Sequence, residues 1–201
     1  TGFNWTLSNG AAGSIGAATG IMTWANGFSG TVDIQVTASG CNGPSSQVIR
    51  TVNITPTVGT PTVITISAGA DPTCQLTNGT TTTTYATTAT NNTGFNWSLS
   101  NVAAGSIGAA TGIMTWTNGF SGTVDIRVTA SGCNGPSAQV IHTVPVTPTV
   151  GTPTAITVSA GAQPTCQLTN GTTTTTYATT ATNNTGFNWS LSNGAAGSIG
   201  A

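Results

Sequence analysis

The chain has 201 residues, 2% of them charged, and a net charge of −1 at neutral pH, whereas an ordinary soluble domain is about a quarter charged. The charges are Arg50, Arg127, Asp33, Asp71 and Asp125, with neither Lys nor Glu anywhere. Two arginines make no basic stripe, which excludes recognition of a nucleic-acid backbone, and no apolar run reaches the roughly 18 residues that would insert directly into a membrane as a helix.

In chain order the first element is the segment TGFNW at Thr1, and it returns at Thr93 and Thr185, a fixed period of 92 residues. Aligning residues 1–59 on 93–151 leaves eight differences, and aligning 60–92 on 152–184 leaves three. Segments this alike fold alike. The period is too long for a solenoid unit and matches a self-contained β-sandwich of about 100 residues. The segment TPTVGTP at residues 55–61, repeated at 147–153, reads as the linker, because two prolines and a glycine stiffen it and exclude regular ladder pairing. The expected division is the later part of one domain (1–59), a complete domain (60–151) and the start of a third (152–201). The chain opens inside a repeated pattern and reads as an interior segment of something longer.

Within the complete domain, β-branched and aromatic residues alternate with Gly, Asn and Pro, and long-chain helix formers are scarce. The predicted strands are 64–67 (ITIS), 82–89 (TTTYATTA), 94–100 (GFNWSLS), a short GSI near Ile107, GIMTW ending at Trp116, 123–130 (TVDIRVTA) and 139–146 (QVIHTVPV). Phe95, Trp97 and Leu99 share one face of the third, and Val124, Ile126 and Val128 one face of the sixth. Seven short strands with turn residues between them predict an antiparallel sandwich with almost no helix. The last strand breaks the pattern, since His142 shares parity with Val140, Val144 and Val146. A bulge, or an edge position consistent with Pro145, is expected there.

The order C-x-L, a Thr-rich strand with Tyr85, FNW at 95–97, AG-I, TG-MTW, FSGT, V-I-V-A and GC-G-PS resembles the PKD-like and immunoglobulin-like tandem repeats of very large surface proteins in Bacteroidetes-type bacteria, gliding adhesins among them. The resemblance covers the whole period. It implies an all-β fold of tandem immunoglobulin-like sandwich domains, secretion to the cell surface, and a cell-attached or released filament. Trp97, with Trp5 and Trp189, stands where that fold places its core tryptophan.

Cysteine is the one reactive type with a pattern. Cys74 and Cys133 fall in one domain, 59 residues apart, and a disulfide between them is expected to contribute roughly 4 kcal/mol by closing that loop. Unpaired core thiols are the alternative, and a metal site lacks a C-x-x-C pair or a histidine partner. Cys41 and Cys166 are the matching halves of other domains and are expected to find no partner within this chain. His142 stands alone and is Arg50 one period earlier; Asp71 is Gln163 one period later. A catalytic base or carboxylate is not exchanged this way between domains of one chain, so no catalytic residue, cofactor or metal is assigned. Trp116 precedes a corner and would stack on a sugar if exposed, and the threonines at 80–84 would array for ice or carry O-linked sugar if flat and open. The reading is a non-catalytic structural repeat of an extracellular filament or adhesin shaft. Its partners are neighbouring copies, head-to-tail and side by side. The alternatives are a glycan- or ice-binding repeat and the spacer of a secreted enzyme.

Overall fold

A computed structural model describes residues 2–169 and 171–200. The strands are β1 (Gly2–Leu7), β2 (Gly13–Ile15), β3 (Met22–Trp24), β4 (Gly30–Gly40), β5 (Gly43–Pro44), β6 (Val48–Ile54), β7 (Thr65–Ala68), β8 (Thr82–Ala86), β9 (Gly94–Leu99), β10 (Gly105–Ile107), β11 (Ile113–Trp116), β12 (Gly122–Ser131), β13 (Val140–Val146), β14 (Thr157–Gly161) and β15 (Thr175–Ala178). Helix is confined, among the described residues, to three single 3-10 turns, Gly10–Ala12, Val102–Ala104 and Gly194–Ala196. Each is opened by an asparagine whose side chain accepts the N–H two residues on, as Asn101 does from Ala103 at 3.0 Å. None of these helices is long and apolar enough to cross a membrane. The protein is all-β, with several antiparallel sheets.

Between residues 57 and 149 two sheets face each other. One runs β10-β11-β8-β7 and the other β13-β12-β9. Their inward side chains meet in one cluster: Tyr85, Met114 and Trp116 come from the first sheet, and Trp97, Val124, Ile126, Val128, Val144 and Val146 from the second. The period-two alternation of β12 puts Val124, Ile126, Val128 and Ala130 inside and leaves Asp125 and Arg127 to pair with each other on the outer face, at 3.3 Å.

The pairings recur one period apart. Leu7 lies opposite Ile34 as Leu99 lies opposite Ile126, Gly30 opposite Ile54 as Gly122 opposite Val146, and Thr65 opposite Ala86 as Thr157 opposite Ala178. Near-identical sequence thus reproduces not only the strands but their register, because one slipped residue would turn each apolar face outward.

Of the two alternatives expected for the last strand the edge position is the one found, and the extent of the second strand is corrected. No bulge interrupts β13: its ladder with β12 runs unbroken from Gly122 opposite Val146 to Val128 opposite Val140. His142 keeps the inward parity because it has an anionic partner, described below, and Pro145 is tolerated because β13 is an edge strand. The register shift lies instead in β7, between Ile66 and Ala68. In addition, β8 stops at Ala86, since beyond it Thr88 is engaged by Thr62, whose N–H donates to the Thr88 carbonyl at 2.8 Å.

Candidate functional site

The densest polar chemistry in the β7–β13 set surrounds Asp71, in the loop between β7 and β8. One carboxylate oxygen accepts the Tyr85 hydroxyl and the other lies 2.7 Å from His142 Nε2. The Tyr85 and His142 rings are tilted against each other at 5.7 Å. The group draws on three elements far apart in sequence: the loop supplies the acid, β8 the phenol and β13 the imidazole. Burial, then the hydrogen bond and charge of Asp71, holds the Tyr85 phenol above its ordinary value. An Asp–His pair is two thirds of a nucleophile-activating triad, yet no hydroxyl or thiol donates to His142 among the described hydrogen bonds. One period on, Gln163 replaces the acid and its Nε2 donates to Tyr177 at 3.1 Å, so the tie to the tyrosine is kept without a charge. The arrangement can fasten the loop to both sheets; it lacks the parts for acyl transfer. Separation of 71 residues between Asp71 and His142 hid this contact from the sequence.

The raised Tyr85 phenol has a measurable consequence. A proton held more tightly in the folded than in the unfolded chain stabilises the fold fully below the unfolded phenol value of about 10, and this contribution is lost as pH rises above it. Tyr85→Phe is therefore expected to remove much of the alkaline fall in stability while costing about 1 to 2 kcal/mol at neutral pH through the lost hydrogen bond to Asp71. Urea midpoints of both proteins between about pH 8 and 11 check this; parallel alkaline slopes would count against it.

Trp116 is buried, with 1% of its surface exposed. Its indole N–H donates to Thr83 Oγ1 at 2.8 Å, and that hydroxyl in turn donates to the Ala70 carbonyl at 2.6 Å. The exposure that a sugar contact at Trp116 required is therefore not met: the ring is core, and its polar edge is already satisfied. The threonine run gives no flat array either. Thr82 is exposed, Thr83 fully buried and Thr84 intermediate, because β8 lies between β11 and β7 and alternates its faces.

The expected disulfide between Cys74 and Cys133 is also corrected, since all four cysteines are free and exposed. Cys74 bridges Thr147, just beyond the end of β13, whereas the Cys133 carbonyl accepts the Val58 N–H at 3.0 Å. Val146 pairs with Gly122, the first residue of β12, and Cys133 stands two residues beyond Ser131, its last. The two thiols thus lie at opposite ends of a strand of 10 residues, roughly 30 Å apart along it, against the ~7 Å between Cα atoms that a disulfide tolerates.

The segment read as a linker is held by hydrogen bonds at Thr147, Thr149 and Gly151. Thr147 exchanges backbone bonds with Thr73 and Gln75, at 3.0 and 2.7 Å. The Gln75 side-chain oxygen accepts both the N–H and the hydroxyl of Thr149, each at 3.1 Å. On the far side the Thr149 carbonyl accepts from Asn183 Nδ2 at 2.9 Å, and Gly151 donates to the Thr182 carbonyl at 2.9 Å. Thr149 is therefore gripped by a residue from before the segment and one from after it. The prolines do exclude a regular ladder, but side-chain amides supply the partners that a ladder would have given.

No family model matches the chain, and no curated protein matches it. A crystal structure of the C-terminal 282-residue fragment of intimin, in complex with the intimin-binding domain of the translocated intimin receptor, is 18% identical over 78% of this chain, with a TM-score of 0.36. The chain spans 54% of that structure's length.

Proposed function

We propose that the chain is a stretch of tandem immunoglobulin-like domains acting as a non-catalytic shaft of an extracellular filament or adhesin. The domains are divided near residues 59 and 151, and neighbouring copies are the partners. The observation that carries the reading is the double grip on Thr149 by Gln75 and Asn183. A flexible tether needs a joint free of specific contacts; here every residue from 147 to 151 that has an N–H to give, except Val150, is tied to one side or the other. Repetition supports it too, since near-identical copies add length, whereas a binding site needs only one. Each period then adds roughly 35 to 45 Å of reach, the length of a sandwich with strands of this size plus its joint. The scarcity of charge lets copies lie side by side with little repulsion.

Small-angle X-ray scattering of the reduced chain tests the stiffness of the joint. The wild-type profile is expected to be that of a straight rod with a single maximum length. Gln75→Ala, which removes both bonds to Thr149 without touching the core, is expected to shorten the mean end-to-end distance and broaden its distribution. A wild-type profile of independently reorienting beads, unchanged by Gln75→Ala, would remove the shaft and leave a tether.

A further inference from the structure

Each of the two cysteines of the β7–β13 set sits at one end of it, and on the tandem reading each end is a joint. Cys74 lies at the joint that follows the set. Its backbone bridges Thr147, the Thr147 hydroxyl lies 3.6 Å from its sulfur, and the next residue, Gln75, accepts the Thr149 hydroxyl. Cys133 lies at the joint that precedes the set. Its carbonyl accepts the Val58 N–H, and the next residue, Asn134, donates from Nδ2 to the Thr57 hydroxyl at 3.2 Å.

Thr57 and Val58 stand one 92-residue period before Thr149 and Val150, and the bonds around them recur one period on. Asn91 donates to the Thr57 carbonyl at 3.1 Å as Asn183 does to that of Thr149 at 2.9 Å, and Gly59 donates to Thr90 as Gly151 does to Thr182, both at 2.9 Å. Carried forward by the same period, the Cys133 equivalent of the following domain sits on Val150, and its Asn134 equivalent reaches the Thr149 hydroxyl. At one joint, then, Cys74 and a cysteine of the next domain are each followed by an amide residue that meets the same hydroxyl. Their backbone anchors, Thr147 and Val150, are separated by three residues, about 10 Å at full stretch, against the roughly 30 Å between the two thiols within one set.

We infer that successive domains are stapled across their joint by a disulfide between Cys74 of one domain and the Cys133 equivalent of the next. This rests on the tandem-shaft reading. It accounts for the four free, exposed thiols, because at neither joint does this chain contain both members of such a pair. The bond forms by exchange with a small-molecule disulfide: one thiolate attacks it, releasing one thiol, and the second thiolate displaces the other. Two S–H bonds are lost, one S–S bond is made, and the two electrons leave with the reduced oxidant. Under a pull along the shaft, the disulfide would then limit how far the backbone segment at each joint can extend.

The test uses the chain lengthened after Ala201 by a copy of residues 110–201, which completes the third domain, with all but two cysteines changed to Ser. One variant keeps Cys74 and the appended copy of Cys133; the other keeps Cys74 and Cys133 of the same domain. After incubation with glutathione disulfide, intact mass is expected to show the first variant about 2 Da lighter, two hydrogens having left, and the second with no such loss. A first variant that retains both thiols or carries glutathione on them, or a second that closes, would overturn the staple. Because the shaft is tested by scattering on the reduced chain, its failure and that of the staple are read separately.

Discussion

Replacing Trp116 with Ala is expected to destabilise the β7–β13 set by about 3 to 5 kcal/mol, the range for truncating a large aromatic side chain in a core. The ring belongs to the same buried cluster as Met114 and the valines of β12, and its loss also leaves Thr83, fully buried, without its indole donor. The equivalent Trp24 supplies the control. It is 45% exposed, because among the described residues no strand pairs with β3 on the side where β8 pairs with β11. Trp24→Ala is accordingly expected to cost less than about 1 kcal/mol. Hydrogen exchange of the β8 and β11 amides reads the stability of the set directly. Equal losses from the two substitutions would contradict the burial of Trp116 and reopen it as a surface for ligand.

The second large effect is expected at Gly105, which follows the turn Val102–Ala104 and opens β10. Its φ of +145° lies where side chains are rarely found, and a Cβ built there would stand 2.0 Å from the Thr115 carbonyl oxygen and 2.9 Å from the Met114 side chain. The carbonyl belongs to the ladder between β10 and β11 and cannot yield without breaking it. Gly105→Ala combines this backbone strain with an overpacked edge of the core, for an expected loss of about 3 to 5 kcal/mol. Gly94, at the start of β9, has no atom within 4 Å of the same construction and an ordinary φ. Its replacement by Ala is expected to be close to neutral, so thermal unfolding of the two variants side by side separates a required glycine from a tolerated one. A Gly105→Ala protein as stable as Gly94→Ala would show that the close approach of β10 to β11 is wrong.

Composition and the repeat determined a good deal by themselves. Scarce helix formers and abundant β-branched residues make an all-β chain with little helix, and a period of 92 residues makes equivalent strands pair in equivalent register. Both are local properties: propensity acts residue by residue, and alternation along β12 states which face is apolar without reference to any other strand. The functional features are the ones that locality cannot supply. Alternation marks the inward face of β13 but not what awaits His142 there, so a partnered histidine looked like a fault in the strand until the loop carrying Asp71 was folded against it. A count of residues between Cys74 and Cys133 bounds a loop but not the direction in which its ends point. Only the antiparallel pairing of β12 with β13 shows that the two thiols stand at opposite ends of β12. The prolines at 148 and 153 correctly deny the joint a ladder. What stands in for the ladder there was decided by Gln75 and Asn183, two amides 108 positions apart that reach the same threonine. Such contacts depend on where whole strands end in space, which is settled by the packing of the two sheets and not by any segment alone.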